Sequence, residues 1–227
     1  VSAVELSEPP SPQPLPGFRR NALWRSIQIV LQIVLVIWLR YRARGMENLP
    51  NDSGALLVVN HQSFLDPVLV GLPLNRPISW MARNTLFHRP LLGWILRNTY
   101  VMPINREAAG TESFRLSLER MHNGYLVGVF PEGTRGQDGE IGPLKPGFIA
   151  LARRAKVPVI PVGIAGSHRA MPKSAIFIRP ARVRVYFGEP IPVETVSELG
   201  KKNREDEFIA YVRERIIHCS QQAAAIR

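Results

Sequence analysis

Beyond residue 45 the chain alternates short, unbroken apolar runs with longer stretches in which apolar residues recur every three or four positions. The runs at 55–59, 78–82, 101–104, 126–130, 159–164 and 183–187 are each closed by Pro, Gly or polar turns, as buried strands are. Helical periodicity fills 66–72, 90–98, 111–123, 146–156 and the stretch from 203 onward. Strands alternating with helices predict an α/β domain whose mixed, partly parallel sheet is flanked by helices. In the last helix Phe208, Val212 and Ile216 share a face at i, i+4 spacing, and that face is expected to pack against the sheet.

The start of the chain has a different pattern. Residues 1–17 hold five prolines and few large apolar groups, too little burial to offset ordering entropy, and are expected to form an extended or disordered tail. Residues 27–39 are apolar except for Gln28 and Gln32, with Arg19, Arg20 and Arg25 before and Arg40, Arg42 and Arg44 after. The run is shorter than the roughly 20 residues of a spanning helix. Asn21, Arg25, Gln28 and Gln32 form a narrow polar stripe at helical spacing. Arginines on both flanks leave no charge asymmetry, as expected when both ends stay on one membrane face. The expectation is a partly inserted N-terminal membrane-associated helix. Ile27, Val30, Leu31, Val34 and Leu35 would contact lipid, with Trp24 and Trp38 as interfacial anchors. A buried core helix is the alternative. The segments are then the tail 1–17, a membrane-associated stretch 18–44 and an α/β domain 45–227.

Composition narrows the partners. The chain has 227 residues, a formal net charge of +11 and 45% hydrophobic residues, enough to bury a full core. Its basicity favours membrane surfaces, nucleic acid or phosphorylated ligands without choosing among them. A single cysteine, Cys219, excludes an internal disulfide and a cysteine zinc cluster.

The densest candidate chemistry is in "VVNHQSFLDP", residues 58–67. Asp66 followed by Pro67 reads as a helix start, with the carboxylate as cap and Pro at the first helical position. His61 then belongs to the preceding loop, where it can reach Asp66; in one continuous helix the two would point apart. A carboxylate on Nδ1–H fixes the tautomer and leaves Nε2 as a base. With no serine nucleophile in the pair, the nucleophile would be a substrate hydroxyl. The alternative is ordinary loop polarity, Asp66 capping and His61 solvated.

A second loop, "FPEGTRGQDGEIGPLKPGF", follows the run ending at Phe130. Its glycines admit close backbone approach, Arg135 can grip a phosphate bidentately, and Lys145 precedes a helix whose N-terminal amides favour anions. No Walker loop and no calcium-loop ligand set is present.

In order and separation, Asn60-His61 with Asp66, then Phe130-Pro131-Glu132-Gly133-Thr134-Arg135, then Val157-Pro158-Val159-Ile160-Pro161-Val162 resemble the glycerolipid acyltransferases, typified by 1-acyl-sn-glycerol-3-phosphate acyltransferase. The resemblance covers roughly 44–192 and includes Arg106 and "LKPG" at 144–147. Tyr100 stands where that family often carries glycine.

The resemblance implies that His61 is the base for an acceptor hydroxyl and that Asp66 orients it. Arg106 and Arg135 would bind the acceptor phosphate, with Thr134 and Lys145 in the same loop. Glu132 and Gly133 would shape the acceptor site, and Pro158, Val159, Ile160, Pro161 and Val162 an acyl or acceptor pocket. The implied reaction is acyl transfer from an acyl-CoA or acyl carrier protein thioester to a lysophospholipid, with 1-acyl-glycerol-3-phosphate giving phosphatidic acid. No metal or other cofactor is needed. Other acceptors are another lysophospholipid, a lyso-aminolipid or glycerol 3-phosphate. The enzyme would be membrane-associated, working on membrane phospholipid with its active site at the cytoplasmic face. A non-catalytic basic membrane- or nucleic-acid-binding protein is the competing class; it leaves the His/Asp pair unused, and nucleic acid is not expected as a partner.

Overall fold

Seven strands form one sheet: β1 (Arg42–Arg44), β2 (Ala55–Val59), β3 (Ile78–Arg83), β4 (Met102–Ile104), β5 (Leu126–Val129), β6 (Val159–Ala165) and β7 (Arg184–Phe187). The structure, a computed structural model, describes residues 22–104, 111–136, 139–173 and 175–227. The expected tail at 1–17, Arg19, Arg20, Asn21 and Arg106 lie outside the described residues. The strand order is β1-β7-β6-β2-β5-β3-β4. β6, β2, β5, β3 and β4 run parallel, whereas β7 is antiparallel to β6 and carries β1 parallel to itself at the edge.

The described helices are α1 (Ala22–Trp38), α2 (Asp66–Gly71), α3 (Asn84–Phe87), α4 (Pro90–Asn98), α5 (Thr111–His122), α6 (Gly147–Ala155), α7 (Ser167–Ala170), α8 (Val193–Leu199) and α9 (Glu205–Ala225). They cover both faces of the sheet, which is why β2 reads as an unbroken apolar run rather than an alternating one. Ala55, Leu57 and Val59 pack with Leu35, Leu39 and Leu69 on one face. Leu56 and Val58 pack with Phe148, Phe208 and Val212 on the other. Phe208, Val212 and Ile216 of α9 are fully buried, as their spacing predicts. A side chain at Gly163 would meet the Cys219 carbonyl carbon at 2.1 Å, so glycine lets α9 rest directly on β6.

Two features depart from the pattern reading. β1 lies in the stretch 18–44, so the sheet takes its edge strand from the segment expected to serve the membrane alone. The polar stripe of α1 faces inward: the Gln28 amide donates to the carbonyls of Leu72 at 3.1 Å and Leu74 at 2.6 Å, and Gln32 to Leu72 at 2.7 Å. These carbonyls follow the end of α2, where intrahelical donors run out. Trp24 and Leu35, expected to touch lipid, are therefore buried against the domain. Ile27 and Leu31 are half-buried, while Val30, Val34 and Trp38 stay exposed with Ile29, Ile33 and Ile37. Among the described residues no helix is long and apolar enough to cross a membrane.

Candidate active site

β6, β2 and β5 lie side by side with their carboxyl ends together, the end at which parallel sheets bind ligands. β2 runs into Asn60 and His61, β5 into Phe130 and Glu132, and β6 into α7. Asn60 is fixed first: its amide nitrogen donates to the Ile164 carbonyl at 3.0 Å, and its oxygen accepts the Ile164 N–H at 2.7 Å. The buried side chain thereby extends the β2–β6 ladder by one step and sets the height at which the chain turns.

His61 and Asp66 meet. Nδ1 of His61 lies 2.9 Å from Asp66 Oδ2, with the carboxylate fully buried and the imidazole 20% exposed. The same oxygen accepts the N–H groups of Gln62 at 2.6 Å and Ser63 at 2.7 Å. The expectation that Asp66 caps the following helix is thus corrected: its carboxylate folds back and gathers the amides of the preceding loop. An acceptor carboxylate at Nδ1 puts the imidazole proton there. Nε2 has no hydrogen-bond partner among the described residues and keeps its lone pair. The ring is stacked on Phe130 at 4.0 Å, which is stacked on Trp80 at 4.8 Å.

Glu132 ties the two motifs together. Its Oε1 accepts the His61 N–H at 2.7 Å and its Oε2 the Gly142 N–H at 3.0 Å, while the Gly136 N–H donates to the His61 carbonyl at 2.7 Å. Burial lifts the Glu132 carboxyl above its ordinary value, and the two backbone amides pull it back only in part. Both carboxylate oxygens are occupied by backbone, so Glu132 acts on the site by bracing its loops. Gly133 takes φ +69°, and a side chain there would meet Lys145 Cε and Nζ at 3.0 Å, so Lys145 lies across it. Thr134 is exposed and Arg135 half-buried, with no ion pair among the described residues.

Val159, Ile160 and Val162 are fully buried on the central strand β6, inside the clusters on the two sheet faces. Pro161 is buried with them, and the Pro158 carbonyl accepts the Leu56 N–H at 3.1 Å. Their side chains lie in the buried layers of the sheet directly below the strand ends that carry His61 and Glu132. Residues that the sequence did not single out do reach the site. Gln62 donates to the Gly139 carbonyl at 2.9 Å and lies 3.3 Å from His168 Nδ1, linking the His61 loop to the glycine-rich loop and α7. Nothing in the spacing of Gln62 or His168 marks them; only the juxtaposition of three strand ends does.

Comparison with known proteins places the chain in a family. A family profile described as acyltransferase matches residues 40–165. A chloroplastic 1-acyl-sn-glycerol-3-phosphate acyltransferase of Brassica napus is 33% identical over 173 residues, 74% of this chain and 48% of the relative. One from Bacillus subtilis is 27% identical, covering 82% of this chain and 91% of the relative. The chain spans about half the length of the plant relatives it matches. The crystal structure of the 1-acyl-sn-glycerophosphate acyltransferase PlsC from Thermotoga maritima superposes with a TM-score of 0.75 at 27% identity, over 92% of this chain and 82% of that one.

Proposed function

The chain belongs to the acyltransferase family, and we propose that it moves a fatty acyl group from an acyl thioester to the free hydroxyl of 1-acyl-glycerol-3-phosphate, giving phosphatidic acid. The observation that carries this is the 2.9 Å contact between His61 Nδ1 and the buried Asp66 carboxylate, with Nε2 left open.

Nε2 takes the hydroxyl proton as the oxygen attacks the thioester carbonyl, and Asp66 stabilises the imidazolium that forms. The tetrahedral intermediate collapses by breaking the carbon–sulfur bond. The departing thiolate takes the proton from Nε2, so the products are the ester and the free thiol of coenzyme A or acyl carrier protein. Arg135 binds the acceptor phosphate bidentately, together with Arg106; Thr134, Gly133 and Lys145 complete the wall on that side.

The outward face of α1, with Val30, Val34 and Trp38, rests in one leaflet and brings the loop to a substrate that resides there. The division of labour is a tail at 1–17, a stretch at 18–44 that seats the molecule on the membrane and also gives the sheet its edge strand β1, and the remainder of the transferase domain after it, with the site at the cytoplasmic face.

The test is thioester release by purified protein with lysophosphatidic acid, lysophosphatidylcholine and glycerol 3-phosphate as acceptors. Turnover is expected with lysophosphatidic acid and lost in His61→Ala; Arg135→Ala raises KM for phosphorylated acceptors. Unchanged release in His61→Ala would end the mechanism.

A further inference from the structure

Four arginines, joined by Arg227, crowd one pocket away from His61. Arg40, Arg42, Arg182 and Arg184, with Arg227, line a pocket of about 610 Å³ between the end of α1 and the edge strands β1 and β7. Among the described residues none of the four pairs with a side-chain carboxylate.

Arg184 is the deepest, only 7% exposed. Its Nε donates to the Ile226 carbonyl at 3.0 Å and its Nη1 to the carbonyls of Val183, at 3.0 Å, and Arg40. It thus staples the residues that follow α9 and α1, and Arg42 reaches the Arg227 carbonyl in the same way. The partial negative charge of those two helix ends offsets part of the cluster. It does not neutralise four guanidinium groups, one of them buried, and a buried cation without an anion is costly. Nη2 of Arg184 has no partner among the described residues. Burial and the neighbouring Arg42 and Arg182 lower the Arg184 pKa, the response of a cation short of negative charge.

The pocket faces the working end of the sheet. Arg184 opens β7 opposite Ala165, the last residue of β6, and Arg42 opens β1 opposite Arg184. β6 and β2 are parallel, so the arginines stand at the same end as His61, displaced sideways by roughly 10–15 Å at ordinary strand spacing. It has apolar neighbours. Ile37 is 75% exposed, Trp38 donates to the Ile178 carbonyl, and Ile176 and Phe177 beside it are 83% and 80% exposed. A soluble anion needs no such apolar neighbours, whereas a lipid does.

We propose that this pocket binds the phosphate of an anionic phospholipid other than the acceptor, with Arg40, Arg42 and Arg182 on the headgroup and Ile37, Trp38, Ile176 and Phe177 among the acyl chains. The site rests on the seating of α1 in a leaflet and adds a charge-selective contact to it.

The test is flotation of the full chain with phosphatidylcholine vesicles and with phosphatidylcholine–phosphatidylglycerol vesicles. Arg42→Gln/Arg182→Gln is compared with Lys201→Gln/Lys202→Gln, which removes the same charge from an exposed turn. Wild type should prefer the anionic vesicles, and the arginine double variant should lose about tenfold or more of that binding at about 1 kcal/mol per surface charge. The lysine variant should keep it, and binding to phosphatidylcholine alone should be equal in all three. Equal losses in the two double variants would overturn the site while leaving the seating of α1 intact; no wild-type binding to either vesicle would overturn both. Inorganic phosphate that displaces wild type from anionic vesicles at the lipid's own concentration would make this a free-phosphate site and overturn the lipid assignment. Should the double variant melt early, Arg182→Gln alone carries the test, since that side chain makes no hydrogen bond among the described residues.

Discussion

The backbone N–H of His61 donates to the Glu132 carboxylate at 2.7 Å across 71 positions of sequence. Each motif is therefore held in place by the other, since the Gly136 N–H also donates back to the His61 carbonyl. Exchanging Glu132 for Gln opposes an amide NH₂ to one of two backbone donors. A loss of about 1–3 kcal/mol is expected, with kcat falling through displacement of His61, measured by urea unfolding and steady-state rates.

The same carboxyl gives a pH signature. Burial raises its pKa above the ordinary 4.5, so above that value and up to the raised one the native state holds more proton than the unfolded chain. Glu132's contribution to stability is full below the unfolded pKa, falls as pH rises through this window and is flat above it. Glu132→Gln should remove that decline from urea midpoints recorded across the window; an identical pH profile would show that the carboxyl is not strained.

His61→Ala should lower thioester turnover by about 10²–10⁴-fold with little change in melting temperature. Asp66→Ala should cost both activity and stability, because the amides of Gln62 and Ser63 lose their acceptor along with the imidazole. Parallel melts and rates on the two variants check this difference.

Gly128→Ala should impair a residue it does not touch. The added methyl would lie 2.4 Å from the Trp80 ring, which stacks on Phe130 and through it on His61. A destabilisation of about 1–3 kcal/mol is expected from overpacking, with a lower kcat and an unchanged acceptor KM.

Burial pushes the Cys219 thiol up to about 12, where its Sγ–H donates to the Pro161 carbonyl. It should resist alkylation in the folded protein at neutral pH and react fully in denaturant, and Cys219→Ala should retain turnover. A trapped acyl group on Cys219 would contradict direct transfer.

Strands β2, β5 and β6 were legible because burial on both faces writes itself as an unbroken apolar run. Edge strand β1, Arg-Ala-Arg, carries no such mark: its existence depends on β7 arriving beside it from 142 residues away. Spacing revealed that Gln28 and Gln32 share a face of α1 but not which way the face turns. The carbonyls that turn it inward follow α2 and cannot be seen from the helix itself. His61 and Asp66 were readable as a possible pair, since a loop permits contact. The bracing by Glu132 was not, because it is made by backbone amides that every sequence possesses. Tyr100 was not legible either: it sits at φ +64°, in the left-handed region that favours glycine, and nothing in its sequence surroundings marks that conformation.

Gln28 and Gln32 also act as a key that admits α1 in a single azimuth. Moving both glutamines one position along would turn the bonded face by about 100°, swinging Val30, Val34 and Ile37 toward the flank of the domain. The tilt at which this molecule meets any flat apolar surface is thus encoded by two amides pointing the other way.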